Sequence, residues 1–225
     1  MLVTDPRSHL LPRAHGRRLL ALEELAKNRR VDSLLEVLAS EEVEASVRLR
    51  IAVVAALGDC ADGRALPALV SVLRTDPLDE VRWHAARALG HLGRTDAVPA
   101  LLEALEHGST RLQVSAAVGL GEIRDAAAID ALASMQTSSK TVVRRYAAEA
   151  LGKIDDPRVV PPLCAYLQDR KRGVRLDAAL ALARVGDERA IEPLELAVKR
   201  QRRPLKALMR SRLHDLRDRL LQASS

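Results

Sequence analysis

The chain has 225 residues and a net charge of +6, and 48% of its residues are hydrophobic, yet it contains no Phe, one Trp and two Tyr. A core without Phe must be built from Ala, Leu, Val and Ile, which is typical of closely packed helices. No apolar run approaches the roughly 20 residues that cross a bilayer, and the charged N-terminal region does not fit a secretory signal, so we expect a cytoplasmic protein without membrane contact.

The N-terminal part of the chain has two predicted regions of different character. Residues 1–13, which include Pro6 and Pro12, are expected to form a flexible arm. Residues 14–46 contain Leu at helical spacing in two short segments and end in an acidic insertion over 41–46. They predict a degenerate helix pair that caps the fold.

An internal repeat of 31 to 32 residues follows. Its clearest segment reads V-R-x-x-A-A-x-A-L-G and begins at positions 49, 81, 112, 143 and 174. A second segment begins about nine residues after each Gly position, opens with Pro or an acidic residue, and continues with Leu at helical spacing. Each repeat therefore predicts two helices, of which we call the Leu-rich one the A helix and the V-R one the B helix.

Two charged columns recur in these repeats. One column lies four residues after the Gly position, where a carboxylate can cap the next helix. It consists of Asp62, Asp125, Asp156 and Asp187, with Arg94 as an exception. The other column occupies the second position of the B helix and consists of Arg50, Arg82, Arg144 and Arg175, interrupted by Gln113. We predict ion pairs between the two columns of neighbouring repeats, and ligand binding by the arginines is the alternative.

The C-terminal region predicts a closing cap helix over 204–222. This helix keeps a broad stripe of Leu but replaces the Ala pair of the B helix by Met209 and Arg210. It is also strongly basic, because residues 199–219 contain nine basic and two acidic residues. Besides a solvated cap, this charge is consistent with contacts to phosphate or to an acidic partner. The candidate residues are Lys199, Arg200, Arg202, Arg203, Lys206 and Arg210.

The pattern V-R-x-x-A-A-x-A-L-G-x-(L/I)-G-D-x-x-A-(V/I)-P-x-L resembles the short HEAT-like repeats of phycobilisome bilin-lyase subunits, over roughly residues 14–200. The resemblance implies an all-α fold, a right-handed α-solenoid of helical hairpins with N- and C-terminal cap helices. It implies a single repeat domain over 14–222, whose B helices line the concave side. Such a repeat defines the fold far better than the function.

The outward positions of the B helices form a candidate groove. At about 100° per residue, the B helix turns its Ala and Leu positions inward and leaves four positions outward, among which is Ser115. Aromatic and aliphatic side chains interleaved with cations predict an acidic or amphipathic protein partner, with lateral packing as the alternative. The predicted partner-binding residues are Ile51, Trp83, His84, Arg87, His91, Arg111, Val114, Val118, Arg145, Tyr146, Lys153, Leu176, Leu180 and Arg184.

Motifs for catalysis or metal binding are not found in the sequence. His84 and His91 lie two turns apart on one B helix, about 10 Å, which is too far for one metal ion without rearrangement. HEAT-like hydroxylases of the deoxyhypusine type carry repeated His-Glu dipeptides, and this sequence has none. Cys60 and Cys164 lie more than three repeats apart, so we expect two buried thiols and no disulfide. We therefore expect no catalytic residue, no metal and no cofactor.

The sequence thus predicts a non-catalytic scaffold or adaptor that binds a helix or peptide of a protein partner in its concave groove. The resemblance leaves open a bilin-lyase-like subunit or a chaperone for cofactor attachment. The basic C-terminal helix leaves open an association with nucleic acid. The identity of the partner and the oligomeric state are not predicted.

Overall fold

The computed structural model describes the backbone of residues 11–200 and 205–223, in which every regular element is helical. The side chains that it describes are those of residues 17–199, 207, 209–218 and 220–222. Packing contacts divide the chain into two compact units, unit 1 from Met1 to Gly93 and unit 2 from Arg94 to Ser225.

In unit 1, the first helix of the predicted degenerate pair packs as a B helix. The helices of unit 1 are α1 Leu11–Lys27, α2 Val31–Leu38, α3 Glu41–Glu44, α4 Val47–Asp59, α5 Leu66–Thr75 and α6 Asp79–Leu92. The B helices α4 and α6 pack against each other, and α1 packs against α4 in the same way, so α1 takes the place of a B helix. Because α1 begins at Leu11, the last three residues of the predicted arm are helical, and residues 1–10 lie outside the described residues.

Unit 2 continues the alternation of A and B helices. Its helices are α7 Val98–His107, α8 Thr110–Ile123, α9 Ile129–Ser134, α10 Thr141–Leu151, α11 Val160–Tyr166, α12 Arg172–Val185, α13 Ile191–Arg200 and α14 Leu205–Ala223. The B helices α8, α10 and α12 pack in succession, and α14 packs against both α12 and α13. The helix predicted as a cap therefore occupies the place of one more B helix and forms a hairpin with α13.

The predicted Asp caps are confirmed. Each member of the column precedes a short 3₁₀ turn and accepts a hydrogen bond, 2.8 to 2.9 Å long, from the backbone N–H two residues later. Arg94, the exception in the sequence, precedes its turn without a side-chain hydrogen bond. The caps satisfy backbone donors that the first turn of a helix leaves free, which explains their regular recurrence.

The Gly of the repeat allows neighbouring B helices to approach closely. A Cβ atom on Gly58 of α4 would lie 2.7 Å from the Cα of Ala88 on α6, and one on Gly152 would lie 2.7 Å from the Cα of Ala181 on α12. Both distances are far below a van der Waals contact between carbon atoms. The A-L-G segment therefore specifies the spacing between stacked B helices.

The predicted pairing between the Arg and Asp columns is wrong. The B helices begin two residues earlier than predicted, so the column residue is the fourth of its helix, and it donates to a carbonyl near the C-terminal end of the preceding A helix. Arg82 Nε donates to Leu73 O at 2.9 Å, and Gln113 Nε2 donates to Leu105 O at 2.9 Å. The last carbonyls of a helix lack partners within that helix, so this column satisfies them. Gln113, predicted as an interruption, keeps the same contact.

Two arginines of this column also pair with carboxylates in the loop that follows the next A helix. Arg144 is buried, and its guanidinium contacts both carboxylate oxygens of Asp169, with Nε 2.6 Å from Oδ2. Its Nη1 also donates to Ser138 O at 2.8 Å. Arg50 Nη1 lies 3.3 Å from Asp76 Oδ2. These loop carboxylates lie outside the column of capping Asp residues and were not predicted.

Three of the four capping Asp residues pair with an Arg two residues later in the sequence, and Asp125 is followed by Ala127 instead. Arg64 donates to Asp62 at 2.7 Å and to Asp32 of the preceding hairpin at 2.7 Å. Its hydrogen bonds lower the pKa of the Asp62 carboxyl to about 2. Arg189 likewise donates to Asp187 at 2.9 Å. An Arg two residues after the cap therefore takes the role that we predicted for the Arg column.

Candidate functional site

The B helices turn the predicted partner-binding residues toward solvent, and none of the fourteen is fully buried. The exposed members are Arg87, His91, Arg111, Arg145 and Arg184, and the others are half-buried. Ser115 is the exception among the outward positions, since only 6% of its surface is exposed. Its position lies at the edge of the outward face, where neighbouring helices cover a side chain this short.

In unit 1, the outward face of α6 carries an aromatic pair. The rings of Trp83 and His84 stack with their centroids 3.7 Å apart. Partial burial lowers the pKa of His84, and the nearby Arg87 guanidinium lowers it further, which favours the neutral imidazole. One turn past Arg87, His91 Nδ1 lies 3.3 Å from Asp59 Oδ1 on the neighbouring helix α4.

In unit 2, apolar side chains occupy the outward positions of three successive B helices. We call them the apolar strip, which consists of Val114 and Val118 on α8, Tyr146 on α10, and Leu176 and Leu180 on α12. All five side chains are half-buried. The strip exists because the inward positions of the same helices, filled with fully buried Ala and Leu, hold their outward faces side by side.

Two of the predicted cations beside the apolar strip are compensated by carboxylates. Arg145 Nε donates to Asp177 Oδ2 at 2.6 Å, across from α10 to α12, and this hydrogen bond raises the pKa of Arg145. Lys153 Nζ lies 3.5 Å from Glu149 Oε1 on the same helix. The positive charge of these two predicted partner-binding residues is therefore offset by neighbouring carboxylates. Arg145 also connects neighbouring repeats.

Arg184 differs from these two cations in its partners. Its Nε donates to Gly152 O at 2.9 Å and its Nη2 donates to Glu149 O at 3.2 Å, so α12 is tied to α10 through backbone carbonyls. Among the residues that the structure describes, no carboxylate pairs with this guanidinium. Arg184 is exposed and therefore keeps a positive charge next to Leu180 of the apolar strip.

Two of the six basic residues predicted near the C-terminus share one cleft. Lys199 and Arg210 line an opening of about 320 Å³ between α13 and α14, whose floor contains Val198 and Leu213. Both cations are exposed, and neither forms an ion pair with a described residue. The side chains of the other four are not described: Arg200 and Lys206 belong to α13 and α14, and Arg202 and Arg203 lie outside the described residues.

The cysteine residues show no sign of reactivity. Cys60 is buried as predicted, with its Sγ 3.7 Å from Ala26 O, whereas Cys164 is only half-buried because part of its side chain reaches the surface of α11. Burial raises the pKa of both thiols, which disfavours the reactive thiolate. Over residues 11–200 and 205–223, no three His, Cys, Asp or Glu side chains form a group that could hold a metal ion.

A further cleft in unit 1 was not singled out from the sequence. It opens between α1, α2, α3 and α4 and has a volume of about 430 Å³. Its lining consists of Arg18, Ala21, Leu22, Leu25, Glu36, Val37, Ser40, Glu42, Val43 and Leu49. The acidic insertion over 41–46 is the sequence feature that could have indicated this cleft. Its position beside apolar side chains, however, depends on how α1 packs against α4.

Comparison with protein families gives a clear assignment. The model of HEAT repeats matches residues 66–145 and 133–213, and the model of the PBS lyase HEAT-like repeat matches residues 49–75. The chain belongs to the HEAT-repeat family. A search of curated proteins finds no match. In the described part of the chain, no helix is both long and apolar enough to cross a membrane.

Several solved structures share the helical-repeat fold. The complex of CpcE and CpcF of phycocyanin lyase from Nostoc sp. PCC7120 is similar with a TM-score of 0.55 and 22% identity, over 88% of each chain. An engineered protein matches with a TM-score of 0.57 and 21% identity, over 84% of this chain and 98% of that chain. A designed armadillo repeat protein in complex with the peptide (KR)4 matches with a TM-score of 0.63 and 16% identity, over 83% of this chain and 97% of that chain. The predicted all-α solenoid class is confirmed, and the right-handed superhelix stays a prediction.

Proposed function

We propose that the chain is a non-catalytic scaffold or adaptor that binds an acidic amphipathic helix or peptide of a partner protein. The observation that carries this proposal is the apolar strip of unit 2, which lies beside the Arg184 guanidinium, for which the described residues offer no carboxylate partner. An amphipathic segment would place its apolar side chains on the strip and a carboxylate on the guanidinium. The proposed activity needs no catalytic group.

The chemistry of the strip suits binding to a partner segment. Tyr146 is a large, rather rigid side chain at the centre of the strip, and such residues often supply most of the energy of an interface. Arg184 is already held by two backbone carbonyls, so it loses little conformational freedom when it pairs with a carboxylate. A charge-assisted hydrogen bond of this kind would orient the partner.

The outward face of α6 in unit 1 is a second candidate contact for the same class of partner. It combines the stacked rings of Trp83 and His84 with the exposed cation of Arg87. Aromatic rings next to a guanidinium are enriched at the centres of protein interfaces. We expect this face to contribute to binding independently of the apolar strip.

The test of the apolar strip is affinity purification of the tagged full-length chain from its native host, followed by mass spectrometry. The partner captured by the unaltered chain is then measured against the double variant Leu176→Gln with Leu180→Gln. We expect its affinity to fall by about tenfold or more, which corresponds to the loss of one good interface contact. The matched control is Leu196→Gln on α13, another partly exposed Leu outside the strip.

Equal capture by the strip variant and the control, with unchanged helical content, would reject the strip as the binding surface. The face of unit 1 is tested separately with Trp83→Ala combined with Arg87→Ala. If neither pair of substitutions reduces the captured partner, the proposed scaffold function on the B-helix faces is wrong.

A second candidate function is a subunit of a bilin lyase. It is favoured by the match of residues 49–75 to the PBS lyase HEAT-like repeat and by the similarity to the phycocyanin lyase complex. The test is to incubate the chain, with a second HEAT-like chain from the same host, with bilin and phycocyanin apoprotein. Covalent attachment seen in the visible absorption spectrum, and lost when this chain is omitted, would assign the lyase role and replace the scaffold proposal.

A third candidate function is association with nucleic acid, favoured by Lys199 and Arg210 on one cleft, neither of which pairs with a described carboxylate. Binding through phosphates requires that affinity for duplex DNA falls steeply as salt rises. The double variant Lys199→Gln with Arg210→Gln should weaken binding and reduce this salt dependence, whereas Arg158→Gln, which lies on a distant 3₁₀ turn, should not. Affinity that responds to neither salt nor the double variant excludes this function.

A further inference from the structure

The cleft between α1, α2, α3 and α4 in unit 1 has an apolar floor. Leu22, Val43 and Leu49 are nearly fully buried there, and Leu25 and Val37 are half-buried. Its volume of about 430 Å³ falls within the range of clefts that hold ligands, roughly 300 to 1,000 Å³. Partly exposed Leu and Val side chains at such an opening offer apolar contact to another molecule.

The rim of this cleft is acidic. Residues 31–46 contain five carboxylates and no Lys or Arg. Glu36 and Glu42 line the cleft, and Arg18 is the one cation in its lining. Because Arg18 forms an ion pair with Glu42, it offsets that charge alone. Glu36 is exposed and pairs with no described residue, so the rim keeps net negative charge.

The wall of the cleft that carries most of this charge is an addition to the repeat. In the next hairpin a loop of only three residues separates α5, which ends at Thr75, from α6, which begins at Asp79. Here α2 ends at Leu38 and α4 begins at Val47, and the short helix α3 fills the interval with three Glu and one Val. The hairpin does not need α3 to connect its helices, so this segment serves another purpose.

We propose that this cleft binds a basic amphipathic helix of a partner protein. Leu-type side chains of that helix enter the apolar floor, while its Lys or Arg side chains pair with Glu36 and with the carboxylates of α3. Charge complementarity selects this occupant, because an acidic segment would be repelled by the same rim. The inference goes beyond the proposed function, since it concerns other residues and a partner of opposite charge.

The first test uses a labelled helical peptide of Leu and Lys, about 14 residues long, with Leu at positions i, i+3 and i+4. Its binding to the full-length chain is followed by fluorescence anisotropy. We expect saturable binding that weakens about tenfold when salt rises from about 50 to about 300 mM, because exposed charges are screened. A peptide of the same pattern with Glu in place of Lys is the control and should not bind.

Two variants locate the binding site. Glu36→Lys should weaken binding of the Lys peptide at least about fivefold, whereas Glu192→Lys, which changes the net charge equally on exposed α13, should leave it nearly unchanged. Ala21→Trp should abolish binding by filling the cleft from an exposed lining position. Its control is Ala127→Trp at an exposed turn of unit 2.

Three results would overturn the proposal: equal binding of the Lys and Glu peptides, equal losses in Glu36→Lys and Glu192→Lys, or unchanged binding by Ala21→Trp. A fourth contradicting result would come from light scattering of the free chain. If the chain self-associates and Glu36→Lys abolishes this, the cleft binds a second copy of the chain and not a partner protein. The variant Leu176→Gln with Leu180→Gln should bind the Lys peptide normally. Failure of this proposal is therefore distinguishable from failure of the scaffold proposal.

Discussion

Two successive contacts between B helices in unit 2 are built differently. Between α10 and α12, Gly152 faces Ala181 so closely that a Cβ atom on Gly152 would lie 2.4 Å from the Cβ of Ala181. One repeat later, between α12 and α14, the corresponding positions hold Ala183 and Arg212. Both residues line a cleft of about 350 Å³ there. The comparison shows that a Gly–Ala pair allows a closer approach of two B helices than Ala and Arg at the same positions.

The same two contacts differ in their ion pairs. The buried Arg144 joins α10 to Asp169, in the turn that leads into α12. One repeat later Arg175 Nη1 donates to the backbone oxygen of Asp169 at 2.8 Å, and the position that corresponds to the Asp169 carboxylate holds Arg200. The last B helix therefore has no Gly–Ala pair at this position and a basic residue where the buried carboxylate lies one repeat earlier, so we expect it to be the more weakly held one.

The largest expected effect is that of Arg144→Met, which leaves the Asp169 carboxylate buried without its cation. Such a change costs about 3 to 5 kcal/mol in the free energy of unfolding. Arg175→Met is the control and should cost less, about 1 kcal/mol, because its Nη1 donates to a backbone carbonyl and not to a buried carboxylate. Urea unfolding monitored by circular dichroism measures both. Equal losses would show that the ion pair does not distinguish the two contacts.

The next effect comes from the close glycine contact. Gly152→Val forces α10 and α12 apart and should cost about 1 to 3 kcal/mol in the free energy of unfolding. Ala183→Val, at the corresponding position beside the cleft, should cost less than about 1 kcal/mol because there is room for the added methyl groups. Thermal unfolding of both variants is the measurement. A larger loss in Ala183→Val would contradict the difference in packing.

A third comparison uses low pH, which should weaken the contact between α10 and α12 more than the contact between α12 and α14. Burial alone would raise the pKa of Asp169, but hydrogen bonds from Arg144 and the Lys171 N–H lower it below its ordinary value. A lowered folded-state pKa gives stability that is complete above about pH 4 and is lost as pH falls through the folded-state pKa. Asp169→Asn should therefore unfold with a weaker dependence on pH in this range.

The control for this acid effect is Asp155→Asn, an exposed position in the same hairpin. Urea unfolding at a series of pH values between about 5 and 3 gives the free energy for each chain. The idea is wrong if Asp155→Asn flattens the pH dependence as much as Asp169→Asn does.

The smallest expected effect is that of removing an Asp cap, a feature that the hairpins on both sides of the comparison share. Asp156 caps the 3₁₀ turn before α11 and Asp187 caps the turn before α13, with backbone hydrogen bonds of 2.8 and 2.9 Å. Replacing either by Ala should cost about 1 kcal/mol in the free energy of unfolding. Amide hydrogen exchange should show the loss locally. A clearly larger effect at one cap would mean that the hairpins differ beyond their B-helix contacts.

Sequence periodicity predicted the helical hairpins and most of the outward faces, but it misplaced several partners. The Asp caps follow from contacts two residues apart, and they were predicted correctly. The partner of Arg144 lies 25 residues away in a loop, which no local pattern specifies. Ser115 was placed outward because helical spacing ignores how far a short side chain reaches. Cys164 was placed in the core, although its side of α11 is partly exposed.

The fold class and the helix register follow from the chain's own periodicity, because repeated Ala, Leu and Gly positions allow only one face of each B helix to be buried. Packing between distant segments decided the rest. It paired Arg145 with a carboxylate of the next repeat and Arg184 with backbone carbonyls of the preceding one, and it packed the predicted cap helix as one more B helix. It also set an acidic insertion beside an apolar cleft. Such features depend on which helices meet, and that is determined only when the whole chain has folded.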